Sequence, residues 1–471
     1  MADNQVPLIV DIDGTLLRSD LLWESLASLA VRHPLKALLV PFQLLRGRPA
    51  LKAFLARETR LEIELVPLSK AAVELIEAAE REGRRVILAS GSPQAMVDRV
   101  RERVGADEAW GTDSITNLTG SSKLLRIQES YGAFDYAGNS WVDLPLWREA
   151  RRPIAVNPKR LALHFGKRAR PDLEVVEDER VGWRAWLRAL RPHHWAKNTL
   201  MFLPALAAHL EPSPELAVRL LAGFAAFCAM TSAVYLTNDI ADLSSDRTHA
   251  TKRHRPLAAG EIAISHAIVA ALLLAVASAA LAWYLAPIFA AVLASYLALT
   301  SAYTALLKRK LIVDVITLAT LYTIRVVAGA VLVQVPLSRW FLAFSIFLFL
   351  SLALVKRVVE LKELEGANAE KAAGRRYQVE DLGVLIGLGT AAAAASALVY
   401  CLYITSDDVL RLYDQPDALW IGLPLFLYWI ARLWVLASRG VMHEDPVTAT
   451  LRDRATYAVL VGFLLTVWLA S

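Results

Sequence analysis

The sequence predicts a multi-domain protein with a cytoplasmic α/β domain that carries a helical cap, followed by an all-α membrane domain. Short apolar strands alternate with helical stretches up to about residue 158, and long apolar stretches follow residue 192. Among 471 residues, 56% are hydrophobic and 21% are charged, which excludes disorder. The first ten residues contain no basic segment followed by a long apolar one, so we expect no secretory signal.

The amino-terminal domain is predicted to span residues 1–158. Its strands are expected at VPLIVDID, RRVILASGS, FDYAGNS and PIAVNP, a pattern that indicates a parallel sheet with crossover helices. The stretch from about 20 to 70 shows no strand pattern and is predicted to be the helical cap. Residues 159–191 are rich in Arg and Glu, which favours a linker before a membrane domain at 192–471.

The membrane domain is predicted to contain nine transmembrane helices. The apolar stretches lie near 196–210, 215–237, 264–285, 287–306, 312–334, 339–355, 382–404, 418–437 and 455–470. The loops after the second, fourth, sixth and eighth stretches contain 16 Lys and Arg residues, whereas the intervening loops, counted up to the first residue of the sixth stretch, contain only Arg339 and Arg411. By the positive-inside rule, we expect the amino-terminal domain to lie in the cytoplasm.

A pair of carboxylates, Asp11 and Asp13, follows the first predicted strand in the motif DIDGT. At this spacing one carboxylate can attack phosphorus while the other exchanges a proton with the leaving oxygen. Paired anions need a cation nearby, and Mg²⁺ with oxygen ligands is the natural one. Ser90 ends another strand as a candidate phosphate-binding hydroxyl, and Lys123 could neutralise a phosphoryl group.

With the later motif GNSWVD at 138–143, this order and spacing resembles the haloacid dehalogenase superfamily of phosphatases over about 150 residues. The resemblance implies a Rossmann-like sheet and a set of roles: Asp11 as nucleophile, Asp13 as general acid/base, Ser90 and Lys123 as phosphate binders, and Asp11, Asp13, Asn139 and Asp143 around magnesium. The family motif usually begins Gly-Asp, so the neutral Asn139 implies a weaker metal site.

A second acidic motif lies at the cytoplasmic end of the second predicted span. Asn238, Asp242 and Asp246 recur every four residues and therefore line one helix face. Their side-chain oxygens make a site for Mg²⁺ that retains places for phosphate oxygens. The following segment TKRHRPLAAG brings Lys252 and Arg255, cationic donors that suit a pyrophosphate group.

This stretch resembles the UbiA superfamily of intramembrane prenyltransferases, which implies that Asn238, Asp242 and Asp246 bind magnesium and a diphosphate. Usual members carry a second acidic motif after the sixth helix, where this chain has KRVVELKE at 356–363. One acidic and one basic cluster suit a magnesium diphosphate plus another phosphate. The departure resembles the branch typified by decaprenyl-phosphate phosphoribosyltransferase.

Further residues are candidates for substrate binding from their charge and from the side of the membrane on which they are expected. These are Tyr235 and Asp239 in the acidic stretch, Lys308 and Arg309 after the fourth span, Arg325 inside the fifth, and Lys356, Arg357 and Glu360 after the sixth.

The resemblances together imply a bifunctional membrane enzyme that uses polyprenyl phosphate, phosphoribosyl pyrophosphate and Mg²⁺. It would transfer a 5-phosphoribosyl group to the lipid phosphate, and the amino-terminal domain would then remove the 5-phosphate. The alternative is an aromatic prenyltransferase fused to an unrelated or regulatory phosphatase-like domain. No motif for nucleic acid binding is visible, and the sequence leaves the oligomeric state open.

Overall fold

The computed structural model describes residues 6–112, 118–178, 182–366, 376–442, 450 and 453–471, without the side chains of Arg48 and Asp408. The chain forms two compact units. The first unit comprises Met1–Leu190 and Tyr235–Ala271, and the second comprises Arg191–Val234 and Leu272–Ser471. The acidic motif therefore belongs to the same compact unit as the amino-terminal domain.

A parallel sheet of six described strands forms the centre of the first unit, as predicted. In chain order the strands are β1 (Leu8–Val10), β2 (Val86–Pro93), β3 (Glu108–Thr112), β4 (Asp135–Gly138), β5 (Pro153–Val156) and β6 (Glu174–Val176). Their order across the sheet is β3-β2-β1-β4-β5-β6. The central strand β1 pairs with both β2 and β4, so the loops after these three strands meet at one sheet edge.

Helices cover the sheet and form the predicted cap. The cap contains α1 (Leu21–Arg32), α2 (Pro34–Ala37), α3 (Val40–Leu45), α4 (Arg48–Glu58) and the 3₁₀ helix Ile63–Leu65. The sheet-covering helices are α5 (Lys70–Arg81), α6 (Gln94–Val104), α7 (Ser121–Tyr131), α8 (Leu144–Glu149) and α9 (Arg160–Ala169), followed by α10 (Trp183–Leu190). A 3₁₀ helix, Trp141–Asp143, precedes α8.

The strands β3 and β6 were not predicted from the sequence. β3 contains a Gly and only five residues, and β6 has three residues of which none is fully buried, so neither shows a clear apolar alternation. The expected linker at 159–191 instead supplies α9 and β6, which pairs with β5. High charge marks this stretch because α9 covers the sheet with one face and exposes the other.

The remaining helices are long and apolar. They are α11 (Leu203–Ala207), α12 (Pro214–Ala241), α13 (Leu243–Thr248), α14 (Ile264–Leu285), α15 (Pro287–Ala305), α16 (Val313–Leu332), α17 (Arg339–Gly366), α18 (Leu382–Ile404), α19 (Asp407–Leu412), α20 (Gly422–Ser438) and α21 (Arg454–Ala470). The 3₁₀ helices among them are Pro192–Phe202, Lys252–His254, Leu307–Arg309, Val379–Asp381 and Pro416–Ile421.

Seven helices in the described ranges are long and apolar enough to cross a membrane, so the predicted helical membrane domain is present but nine spans are not confirmed. The first expected span is a 3₁₀ helix followed by the short α11, and Pro204 lies where the two meet, without a backbone N–H to donate to the preceding turn. The last, α21, has 17 residues. At about 1.5 Å per residue it is somewhat shorter than a hydrocarbon core of about 30 Å.

Candidate active sites

The two carboxylates of the DIDGT motif lie in the loop after β1, at the edge where β2 and β4 also end. The Asp11 amide donates to the Ala137 carbonyl at 2.9 Å, which fixes this loop against β4. Asp13 Oδ2 accepts hydrogen bonds from the hydroxyls of Ser90 and Ser92, each at 2.7 Å. The motif and the predicted phosphate-binding serine are therefore brought together, as the order of the strands requires.

Lys123 reaches the same place from α7. Its ammonium lies 2.7 Å from Asp11 Oδ1, and both side chains are largely buried. Burial raises the pKa of Asp11 to about 7, with Asp143 and Asp13 adding to the shift and Lys123 opposing it. Burial alone would lower the pKa of Lys123, but the neighbouring Asp11 and other carboxylates raise it above its ordinary value. Lys123 therefore stays cationic beside the predicted nucleophile.

The loop after β4 is held by Asp143. Its Oδ2 accepts from the backbone amides of Asn139 and Ser140 at 3.1 and 2.9 Å, and its Oδ1 accepts from the Tyr136 hydroxyl at 2.7 Å. The Asn139 amide packs against Gly14, where a Cβ atom would lie 2.2 Å from Asn139 Nδ2. Asn139 is thus brought beside the Asp11–Asp13 loop, while Asp143 orients it.

The residues around this loop fit a magnesium ion by their chemistry. Carboxylate oxygens of Asp11 and Asp13 lie on the loop against which the Asn139 amide packs, and oxygen donors of this kind are the ligands that Mg²⁺ prefers. Within the described ranges, no three His, Cys, Asp or Glu side chains form a ready-made metal cluster. Magnesium binding by Asp11, Asp13, Asn139 and Asp143 stays a prediction.

Sequence reasoning missed three groups at this site. Tyr136 links Lys123, at 3.1 Å, to Asp143. Ser92 duplicates the contact of Ser90 with Asp13, and the Lys52 ammonium of the cap donates to the Gly91 carbonyl. The position of Ser92 two residues after Ser90 was a usable signal, but nothing in the sequence connects Lys52 or Tyr136 with the loop.

The acidic motif lies where α12 ends at Ala241 and α13 begins at Leu243. The Asp242 amide donates to the Asn238 carbonyl at 2.8 Å, and the Asp246 amide donates to the Asp242 carbonyl at 2.7 Å. These hydrogen bonds cross the boundary between α12 and α13, where Asp242 leaves the helical region with φ −95° and ψ 8°. That Asn238, Asp242 and Asp246 share one face stays a prediction. Their oxygens suit Mg²⁺ in type, and metal binding there also stays a prediction.

Arg255 folds back onto this motif. Its Nη1 lies 2.6 Å from Asp246 Oδ2 and 3.3 Å from Asp239 Oδ1, and both carboxylates are buried. Lys252 is exposed on its 3₁₀ helix, and Tyr235 is half-buried on α12. The structure therefore brings Arg255, but not Lys252, into contact with the acidic side chains.

A buried ion pair joins the cap to the acidic motif within the first unit. Glu24 of α1 accepts from Arg247 at 2.6 and 3.1 Å, and the Arg247 Nε donates to the Ala258 carbonyl at 3.2 Å. A cavity of 490 Å³ adjoins this pair and is lined by α1 residues including Arg32, by Glu62 of the cap, and by Asp242 and Ser245 of the motif. The cap and the acidic motif thus line the same cavity.

Breaking this pair should destabilise the first unit. Glu24→Gln leaves the buried Arg247 without its counter-charge, and we expect a loss of about 3 kcal/mol in the free energy of unfolding. Thermal melting of the full chain in detergent measures the loss. Glu58→Gln, which removes an exposed ion pair with Lys36 in the same cap, is the matched control and should leave the melting temperature unchanged. Equal melting of both variants would contradict the expectation.

The second unit holds the remaining candidates. Arg357 of α17 is buried and pairs with Asp314 at 2.9 Å, and its guanidinium also contacts Glu360 and, at 3.3 Å, the Tyr303 hydroxyl. The Tyr377 hydroxyl donates to the other oxygen of Asp314. Arg357 is therefore part of an ion-pair network with two acids, whereas sequence reasoning assigned it to a substrate phosphate.

Arg325, inside α16, contacts an amide and aromatic rings. Its Nε donates to Asn198 Oδ1 at 2.9 Å, and its guanidinium lies 5.0 Å from the centre of the Tyr296 ring and 5.5 Å from that of Phe227. An amide and aromatic faces thus accommodate the charge. Lys308 and Lys356 are half-buried in this unit and Arg309 is exposed, so their assignment to substrate phosphates rests on sequence alone.

Comparison with known families decides what kind of chain carries these sites. Residues 199–469 match the UbiA prenyltransferase family, which is more than half of the chain. The chain belongs to the UbiA prenyltransferase family. Residues 8–148 match the haloacid dehalogenase-like hydrolases. The protein is thus an integral membrane UbiA-family transferase with a phosphatase-like domain fused to it, as the motifs indicated.

Relatives of this UbiA-family chain share either its whole length or its membrane part. The uncharacterized protein y4nM of Sinorhizobium fredii is 34% identical over 464 residues, covering 97% of this chain and 89% of that protein. Decaprenyl-phosphate phosphoribosyltransferase of Mycolicibacterium smegmatis is 33% identical over 316 residues, covering 65% of this chain and 97% of that protein. A solved UbiA homolog from Archaeoglobus fulgidus, bound to GPP and Mg²⁺, is 15% identical over 60% of this chain and 99% of its own, with a TM-score of 0.46.

Proposed function

We propose that this protein is a bifunctional enzyme of the cytoplasmic (inner) membrane, with both active sites on the cytoplasmic side. The membrane domain transfers a 5-phosphoribosyl group from phosphoribosyl pyrophosphate to a polyprenyl phosphate, and the amino-terminal domain removes the 5-phosphate. The observation that carries the proposal is the combination in one compact unit of the Asp11–Lys123 and Asp13–Ser90 contacts with the acidic motif of a transferase. The similarity to decaprenyl-phosphate phosphoribosyltransferases supports the choice of substrates.

The transfer step needs little acid-base chemistry. A lipid phosphate is already an anion near neutral pH, so its oxygen attacks the anomeric carbon of ribose without a base, and the bond to pyrophosphate breaks. The chain must hold the leaving pyrophosphate and neutralise the other phosphates, which are positioning and charge effects. Asn238, Asp242 and Asp246 would hold the metal diphosphate, and Lys252 and Arg255 would donate to it. A magnesium ion bound there supplies charge neutralisation for the leaving group.

The second step uses the site after β1. Asp11 attacks the 5-phosphate phosphorus while Asp13 gives a proton to the ribose oxygen, so that a phospho-aspartyl group forms and the lipid-linked riboside leaves. Asp13 then takes a proton from water as the water oxygen attacks phosphorus, which frees Asp11 and inorganic phosphate. The Lys123 ammonium beside Asp11 neutralises the phosphoryl oxygens, and the hydroxyls of Ser90 and Ser92 orient Asp13.

Identification of the lipid product tests the proposal. Detergent-purified full chain is incubated with Mg²⁺, a short polyprenyl phosphate and phosphoribosyl pyrophosphate, and the lipids are analysed by mass spectrometry. We expect a polyprenyl-phosphoryl ribose, preceded in time by its 5-phosphate. Turnover of an isoprenoid diphosphate with an aromatic acceptor, and no pentose on the lipid, would favour the aromatic prenyltransferase instead.

A further inference from the structure

The cap carries an apolar surface that its own fold leaves uncovered. Within α2, α3 and the turns beside them, Leu35 is 81% exposed, Leu45 is 86% exposed and Phe42 is 64% exposed. Leu38, Leu39 and Leu44 are exposed on the same short segment. We call residues 34–45 with these six side chains the cap surface. Single exposed apolar residues are ordinary, but six within twelve positions form a patch that marks an interaction site.

Packing of the cap onto its own core does not account for this surface. The inner side of α2 and α3 already contributes Ala37 and Val40 to a small core around Leu29, Leu51 and Leu55 of α1 and α4. The segment is therefore apolar on both sides, and only its inner side packs against the core of the cap. A helical cap that served as a lid alone would need only the inner side.

Within the segment that carries the cap surface, the charged residues are all basic. The stretch from His33 to Arg46 contains Lys36 and no Asp or Glu. Lys36 pairs with Glu58 of α4, and Arg46 is exposed at the end of α3. An apolar surface with basic residues at its edge fits the interface of a bilayer that contains anionic lipids.

We propose that the cap surface rests in the lipid interface of the membrane that the chain itself spans. The first unit includes the ends of α12 and α14, two of the helices long and apolar enough to cross a membrane, so the chain itself connects the cap to membrane helices. This placement deepens the proposed function and rests on it in one respect: the 5-phosphate to be removed is attached to a lipid. A phosphatase that rests on the interface meets such a phosphate without extracting the lipid.

Hydrolysis of a lipid-linked substrate and of a soluble substrate distinguishes the role of the cap surface from that of the catalytic site. The triple variant Leu38→Gln, Phe42→Gln, Leu45→Gln of the full chain is reconstituted in liposomes of phosphatidylcholine and phosphatidylglycerol. We expect KM for hydrolysis of polyprenyl-phosphoryl-5-phosphoribose to rise about tenfold, because the apolar contact with the interface is lost. Hydrolysis of soluble ribose 5-phosphate should change less than twofold. Equal losses on both substrates, or none on either, would overturn the proposal.

A matched control removes exposed apolar side chains elsewhere on the same domain. Leu161→Gln with Phe165→Gln, on α9, should leave KM for the lipid substrate unchanged, since these residues lie outside the cap. A rise equal to that of the cap variant would show a general loss of surface apolarity and overturn the proposal.

A label at the cap surface tests contact with lipid without any substrate. A fluorophore is attached at Phe42→Cys or at Leu161→Cys in a chain with Cys228→Ser and Cys401→Ser. Lipids with a nitroxide on the acyl chain should quench the label at 42 and not at 161. Quenching without turnover of a phosphoribosyl lipid would retain the surface and reject the proposed function. Turnover of a phosphoribosyl lipid without quenching of the label at 42 would retain the proposed function and reject the contact of the cap surface with lipid.

Discussion

Replacing Asp11 by Asn is expected to lower removal of the 5-phosphate by about 10⁴-fold or more, because a neutral amide cannot attack phosphorus. The amide also loses the charge that pairs with Lys123 at 2.7 Å. The measurement is inorganic phosphate released from polyprenyl-phosphoryl-5-phosphoribose by the purified full chain. The 5-phosphorylated lipid should accumulate, since the transferase step uses other residues.

Asp172→Asn supplies the control for this prediction. Asp172 is an exposed acid that pairs with Arg170 at 2.7 Å, far along the chain from the loop after β1, and its replacement should leave phosphate release unchanged. If Asp11→Asn released phosphate as fast as the wild type, the amino-terminal domain would not be the phosphatase. The second step of the proposed function would then be abandoned.

Replacing Asp246 by Asn is expected to lower phosphoribosyl transfer by about 10²–10³-fold. The substitution removes one carboxylate from the predicted metal-diphosphate site, and electrostatic groups at such sites contribute effects of about this size. It also removes the charge that Arg255 contacts at 2.6 Å, so the basic segment loses its anchor on the motif. Formation of the phosphoribosylated lipid, followed by mass spectrometry, measures the effect.

The matched variant for Asp246 is Asp407→Asn. Asp407 is an exposed acid on α19, outside the acidic motif, and its replacement should not change transfer. Hydrolysis of ribose 5-phosphate by Asp246→Asn should persist, which shows that the first unit is folded. Unchanged transfer in Asp246→Asn would place the diphosphate elsewhere and contradict the assignment of Asn238, Asp242 and Asp246.

Local patterns were sufficient for the main elements of both domains. Short, nearly continuous apolar runs predicted β1, β2, β4 and β5, because a strand buried on both faces needs such a segment. Seven apolar stretches of membrane length correspond to helices that can span a bilayer. The edge strands β3 and β6 were not predicted from such runs, since a short edge strand needs little burial and takes its stability from pairing with β2 or β5.

Side-chain partners were less predictable than elements. The sequence placed Asp11, Asp13 and Ser90 at strand ends, and the order of a parallel sheet brings such ends together. It assigned Arg357 to a substrate phosphate from its charge and its side of the membrane, and Arg325 to a phosphate or an acidic partner from its place inside a span. The structure pairs Arg357 with Asp314 and places Arg325 beside Asn198 and aromatic rings. Such partners come from other helices, and no local pattern specifies them.

The sequence by itself determined the sheet domain and the apolar helices and predicted the two acidic motifs, because each depends on residues close together in the chain. Only the tertiary structure decided that Tyr136 links Lys123 to Asp143, that Glu24 of the cap holds Arg247, and that one side of the cap stays uncovered. These features depend on contacts between residues distant in sequence, whose packing no single stretch of the chain encodes.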